Sequence, residues 1–289
     1  MHSGVVTAAF GRRYEVTLSD GRSVAGLTRG KKSPYACGDA VTLGPLHDGE
    51  AVILAHAPRR SLLYRSDAWK SKIIAANADQ IIIVVAVEPS FAAELVSRAL
   101  VAAADQRLRS VIILNKIDLI DKLAAARAQL APFTALGAPL LELCARSDIS
   151  ALQPWLAGRR SVLLGQSGMG KSTLINAMAP QAAALTREIS TALDAGKHTT
   201  THARMYDLGD GASIIDSPGL QEFGLAHLSR GEIELGFSEF LPHLAHCRFR
   251  DCRHAEEPGC AILAAVAAGD ISPVRLKHFH AIVAAATRQ

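Results

Sequence analysis

No stretch of this sequence is long and apolar enough to span a bilayer. Its longest apolar runs, residues 81–87 and 261–268, fall far short of the ~20 residues a membrane helix needs. The first ten residues lack the basic head and long apolar run of a secretory leader. A cytoplasmic location without a membrane partner is therefore expected. Cysteine is scarce and odd in number, five in 289 residues, which argues against a disulfide framework. Internal repeats and low-complexity tracts are missing, which excludes solenoid and fibrous designs. Neither sign of charge dominates, for the net charge is only +4.

That small excess is unevenly placed. Residues 1–65 hold nine basic side chains (Arg12, Arg13, Arg22, Arg29, Lys31, Lys32, Arg59, Arg60 and Arg65) against five acidic ones (Glu15, Asp20, Asp39, Asp48 and Glu50), an excess equal to that of the whole chain. A small basic module suggests a polyanionic partner; a solvated surface is the plainer alternative. The same segment alternates five short β-like runs, "VVTAAF", "YEVTL", "SVAGL", "DAVTLG" and "EAVILA", with turn residues. Five strands in about fifty residues fit an OB-like barrel or another small closed barrel. "APRRSLLYRS" has no sustained period and reads as a linker.

From Ala78 onward the pattern changes. "DQIIIVVAVEPSF" and "SVIILNKID" are near-continuous apolar runs, as in strands covered on both faces of a parallel sheet. Amphipathic helical periods lie between them and again at roughly 122–136, with a short helix near 150–157. Further strands are expected at "PLLELC", "RSVLL", 203–207 and 212–216. The alternation predicts a doubly wound, mostly parallel α/β domain. After Gly224, two helical stretches flank a cysteine–histidine segment, in a tail too small for a large core of its own.

Gly165, Gln166, Ser167, Gly168, Met169, Gly170, Lys171 and Ser172, followed by Thr173, match G-x-x-x-x-G-K-[ST] in full. In such a loop the glycines let backbone N–H groups turn in on a triphosphate. Lys171 places a cation at the β- and γ-phosphates, the Ser172 hydroxyl suits Mg²⁺, and a helix N-terminus follows. A plain glycine-rich turn is the alternative, but this string follows a strand and opens a helix. Fifty residues earlier, Asn115, Lys116, Ile117 and Asp118 close an apolar strand, where ligands of parallel sheets bind. Asp118 suits the guanine N1–H and 2-amino donors, Asn115 the base and a tether to the phosphate loop, and the Lys116 stem the ring. The Ala145 amide of "CAR" suits the guanine O6. Asp216 ends another strand, where an aspartate can hold Mg²⁺ through water, and Gly219 can turn its amide to the γ-phosphate. In "GKHTTTH", one of Thr199, Thr200 and Thr201 supplies a second hydroxyl to Mg²⁺, with Thr200 taken as that residue.

The usual order of phosphate loop before base reader is reversed here. Read from Gly165 and joined end to end, the motifs fall into the ordinary order. Circular permutation moves only the cut and keeps the contacts. Near the C-terminus, Cys247, Cys252, His254 and Cys260 offer three thiolates and one imidazole within fourteen residues. That is a closed tetrahedral set for structural zinc, three buried thiols being the alternative. Cys37 and Cys144 read as small buried hydrophobes. His243, His246, His278 and His280 read as surface or helix residues.

Together, "NKID" before "GQSGMGKSTLIN", then "GKHTTTH", "DSPGLQEFGL" and "CRFRDCRHAEEPGC", resemble the circularly permuted bacterial GTPases that assist small-subunit assembly, the RsgA type. The resemblance covers nearly the whole chain. It implies an OB barrel over residues 1–65, a permuted GTPase domain over 66–225 and a helical zinc domain over 226–289. It further implies GTP and GDP as ligands, one structural Zn²⁺, Mg²⁺ with the nucleotide, and the 30S subunit with its 16S rRNA as partner. A monomer is expected. The expected catalytic set is Lys171, His198, Thr200, Asp216 and Gly219. Leu220 stands where many GTPases carry a water-orienting glutamine, so slow intrinsic turnover is expected, with His198 in the glutamine's role.

Overall fold

The computed structural model describes residues 1–30, 34–66, 71–180, 203–217 and 224–287. Strands β1 (His2–Phe10), β2 (Arg13–Leu18), β3 (Ser23–Leu27), β4 (Ala40–Leu43) and β5 (Glu50–His56) form the N-terminal barrel. Alternate residues turn inward, so Val6, Tyr14, Val16, Leu43 and Ile53 build its core. The strands pair in the order β1-β2-β3-β5-β4, and β4 returns to β1. That closure is the five-stranded OB arrangement expected of the sequence. Inside it, the fully buried Asp39 accepts two hydrogen bonds from the Arg59 guanidinium, both at 2.7 Å. A forked pair of this kind is what makes a buried carboxylate tolerable.

The stretch expected to be a linker is instead structured. Leu62–Ser66 is a strand, β6, paired antiparallel with β7 (Ser71–Ala76). Leu63, Ile74 and Ala75 are buried in the main core. Five residues are too few to show a period, so only packing reveals the strand.

The second unit is a sheet in the order β10-β9-β8-β11-β13-β12. It comprises β8 (Gln80–Ala86), β9 (Arg109–Asn115), β10 (Leu140–Leu143), β11 (Arg160–Leu164), β12 (Ala203–Gly209) and β13 (Ala212–Asp216). Neighbours are parallel except β12, which runs antiparallel to β13. Helices α1 (Ala93–Asp105), α2 (Ile120–Thr134), α3 (Gln153–Leu156) and α4 (Lys171–Met178) connect them. All seven residues of β8 are buried, as a central parallel strand requires. β12 also pairs with β1 at Ala8 and Arg204, so barrel and parallel sheet are one continuous sheet.

Beyond residue 224, helices Arg230–Leu235, Leu241–Leu244, Ala261–Ala268 and Pro273–Thr287 pack around Phe237, Phe240 and Phe279. His278 is a helix residue, one of the two places expected for it, and it faces inward: it is buried, and its Nδ1 lies 2.8 Å from Ser97 Oγ on α1. No helix among the described residues is long and apolar enough to cross a membrane.

Candidate nucleotide site and metal centre

Four parallel strands deliver the site. β9 ends at Asn115, β10 just before Cys144, β11 just before Gly165, and β13 at Asp216. Because the strands are parallel, all four ends lie along one edge of the sheet. The chain runs outward from β8 to β9 and β10 and then crosses back to β11 on the other side of β8, and the crevice at such a reversal is where α/β sheets bind ligands. A cleft of about 590 Å³ lies there, lined by Asn115, Lys116, Asp118, Ala145, Ser167, Gly168, Gly170, Lys171, Ser172, Thr173 and Asp216, with Leu119, Cys144 and Arg146 beside them. Motifs fifty residues apart thus share one cavity. Cys144, expected to be a buried hydrophobe, is only half-buried and forms part of that wall.

Asn115 is the pin of the site. It is 2% exposed. Its Nδ2 donates to the Met169 carbonyl at 2.9 Å, while its Oδ1 accepts from the N–H groups of Lys116 at 2.8 Å and Ala145 at 2.9 Å. One side chain therefore ties the base-reading loop to the phosphate loop and to the loop after β10. The Ala145 N–H points at Asn115, so a guanine O6 would share that donor.

Lys116 has a left-handed backbone (φ 62°). Its Nζ donates to the carbonyls of Glu88 at 2.7 Å and Gly168 at 2.8 Å, which draws its stem across the rim of the cleft. Gln166 Oε1 accepts from the Ala92 N–H at 2.7 Å, and Met169 is buried beneath the loop. Ile117 packs against the main core. Gly165 and Gly170 have backbones in the left-handed region. A Cβ at Gly165 would lie 2.3 Å from the Val84 carbonyl oxygen, and one at Gly170 would lie 2.2 Å from Asn115 Nδ2. Both glycines are required by packing as well as by the turn.

At the phosphate end Lys171 Nζ donates to the carbonyls of Gly165 at 2.6 Å and Gln166 at 2.8 Å. Burial pulls its pKa below the usual lysine value, and the Asp216 carboxylate pulls the other way. Burial raises the Asp216 pKa, offset by Lys171 and by a backbone hydrogen bond from Ser217. Asp216 Oδ1 is buried with no hydrogen-bond partner among the described residues. An unsatisfied carboxylate oxygen in the same cleft as Ser172 and Lys171 fits a hydrated divalent cation. His198, Thr199, Thr200, Thr201, Gly219 and Leu220 lie outside the described residues.

The ligand atoms of Cys247, Cys252, His254 and Cys260 lie within 4.8 Å of one another. His254 Nδ1 is 3.7 Å from Cys247 Sγ and 3.3 Å from Cys260 Sγ. Its other nitrogen, Nε2, is 2.6 Å from Glu234 Oε1. Nδ1 is thus the nitrogen turned to the thiols, and a carboxylate backs the ring, as in many zinc sites. The four residues fit a tetrahedral zinc ion. Glu234 was not legible in the sequence, because a helix thirteen residues before the first cysteine supplies it.

A family model described as RsgA GTPase matches residues 56–226. The small ribosomal subunit biogenesis GTPase RsgA of Burkholderia pseudomallei (strain K96243) is 53% identical over 277 residues, covering 94% of this chain and 88% of the relative. The protein of the same name from Bordetella pertussis (strain Tohama I) is 52% identical over 276 residues, covering 94% and 92%. Among solved structures, YjeQ from Thermotoga maritima superposes with a TM-score of 0.75 at 27% identity, over 100% of this chain and 99% of that one. YloQ, a circularly permuted GTPase, gives a TM-score of 0.70 at 23% identity over 98% and 94%, a likeness of fold.

Proposed function

This chain belongs to the RsgA GTPase family, and we propose that its GTP hydrolysis is a switch worked by the small (30S) ribosomal subunit late in assembly. The observation that carries the reading is the shared cleft. The base-reading and phosphate-loop residues, in reversed chain order, line one cavity pinned by Asn115. Asp118 accepts from the guanine N1–H and 2-amino group, the Lys116 stem covers the ring, and the Ala145 amide serves O6. Residues Gly165 to Thr173 wrap the phosphates, with Lys171 as their cation. Ser172, Thr200 and, through water, Asp216 would hold the Mg²⁺ carried with the nucleotide, which would neutralise charge at the phosphates. The Gly219 amide serves the γ-phosphate. His198 positions the attacking water, because Leu220 can neither donate nor accept a hydrogen bond.

The polyanion is 16S rRNA, met by the barrel at residues 1–65 and by the zinc domain at 226–289, which flank the GTPase domain at 66–225. One zinc ion per chain, on Cys247, Cys252, His254 and Cys260, holds the C-terminal domain together. The protein acts as a cytoplasmic monomer. Support comes from the role for which its relatives are named and from the basic N-terminal segment. The test is GTP turnover titrated separately with small and large ribosomal subunits at saturating GTP and low salt. Small subunits are expected to raise turnover by ~10³–10⁵, the range of activators in trans, and large subunits to leave it unchanged. Equal turnover with and without small subunits would overturn the ribosomal reading.

A further inference from the structure

None of the residues of α1 lines the nucleotide cleft, yet the helix is fixed at three separate points. At its start the Ala92 N–H donates to Gln166 of the phosphate loop at 2.7 Å. In its middle, the fully buried Ser97 Oγ accepts from Arg275 at 2.7 Å and sits 2.8 Å from His278 Nδ1. Both partners belong to the C-terminal helix Pro273–Thr287. At its far end Gln106 Oε1 accepts from the Leu62 N–H at 2.8 Å, at the first residue of the β6–β7 hairpin.

The middle anchor is stiff. Arg275 is 1% exposed, its Nε donates to Glu239 at 2.6 Å, and its guanidinium lies 4.3 Å from the Phe237 ring centre. Four residues of α1 further on, the C-terminal domain touches backbone. A Cβ on Gly236 would come within 2.8 Å of Val101 Cγ1 and 3.0 Å of Val101 Cα. Val101 Cγ1 can turn away, but Val101 Cα and Cβ cannot shift without moving the helix. A thirteen-residue helix in a close-packed interior moves as a body, so displacement at one anchor reaches the others.

We propose that α1 is a strut that carries the position of the C-terminal helices and of the β6–β7 hairpin to the phosphate loop. Gln166 and Ser97 are its positioning residues, and they set how firmly the loop holds a nucleotide. The nucleotide part rests on the guanine-nucleotide reading of the cleft; the mechanical part does not. The test uses the full chain with zinc bound and two substitutions outside the cleft. Ser97→Ala removes the polar anchor, and Gly236→Ala wedges the helix from the C-terminal domain. Hydrogen exchange of the amides of residues 165–170 is expected to quicken in both, with zinc content and circular dichroism unchanged. Release of a fluorescent GDP analogue is expected to quicken about 2- to 30-fold, the range for substitutions along a coupling route. Ser97→Ala combined with Gln166→Ala should release GDP no faster than the faster single variant, because both cut one route.

Wild-type exchange and wild-type GDP release in folded Ser97→Ala would overturn the strut, as would multiplied effects in the double variant. Should Gly236→Ala fail to fold, Ser97→Ala decides alone. A wild-type protein that binds no GDP would overturn the function proposed above, while loop exchange would still decide the strut.

Discussion

At the scale of single residues, the site divides labour between neighbours in one tetrapeptide. Asn115 commits Oδ1 and an Nδ2 hydrogen to partners inside the protein, so it holds loops together. Asp118 lines the cleft and is the carboxylate available to a base with two adjacent donors. On the proposed assignment, Asp118→Asn turns one acceptor into a donor against a donor edge. The expected loss of GDP affinity is about 1–3 kcal/mol, the cost of leaving polar groups unpaired, with preference moving toward xanthine nucleotides. Calorimetry with GDP and its xanthine analogue checks this; unchanged GDP affinity would remove Asp118 from base recognition. The Lys171–Asp216 pair is the other residue-scale feature. Burial pushes both groups toward their neutral forms while each favours the other's charge. A half-buried cation beside a carboxylate with a spare oxygen is a costly arrangement in the free protein, and it suits a ligand that brings phosphate and metal together.

At the scale of elements, the C-terminal tail shows how a metal substitutes for core volume. Its described helices before the cysteines are short, the longest being Arg230–Leu235, six residues that open on a Ser229–Glu232 capping box. Such helices need tertiary support. On the proposed assignment a zinc ion supplies it, because its binding free energy, ~10–16 kcal/mol in small modules, is also folding free energy. A chelator should therefore unfold this tail before the parallel sheet, as followed by circular dichroism together with released zinc. Glu234 gives a sharper test. Glu234→Ala leaves all four ligands but removes the carboxylate behind His254, and zinc affinity should fall about 10- to 100-fold. Competition with a zinc-sensitive dye measures it, and wild-type affinity would mean that Glu234 plays no part in the centre.

At the scale of the whole molecule, barrel, sheet and tail are physically continuous. β1 extends the sheet through β12, and the tail grips α1. The structure also trims the electrostatic argument. Arg13, Arg22, Arg59 and Arg60 are each engaged by a carboxylate, so the number of basic side chains overstates what a polyanion meets. Arg12 and Arg29 are exposed and in no ion pair among the described residues. If the barrel meets rRNA, small-subunit binding should weaken with salt. The variant carrying both Arg12→Ala and Arg29→Ala should lose about 0.7–0.9 of log–log slope for each phosphate no longer neutralised. Affinities at several salt concentrations give that slope, and a slope equal to wild type would take these two arginines out of the interface.

The sequence determined by itself whatever depends on local chemistry or short-range period. The phosphate loop, "NKID", the four clustered cysteine and histidine residues, the barrel strands and the buried parallel strands were legible because each is a pattern within about ten to twenty residues. Permutation could be read as well, since strand-end motifs keep their order on a closed circle. The tertiary structure alone decided what depends on pairs far apart in the chain. It made strands of 62–66 and 71–76, put Glu234 behind His254, gave the Ala145 amide to Asn115, and buried His278 against Ser97, 181 residues away. A lone serine or histidine has no period, and its partner is chosen by packing. The physical reason is that burial makes an unpaired polar group expensive, so the fold selects partners that no local pattern announces.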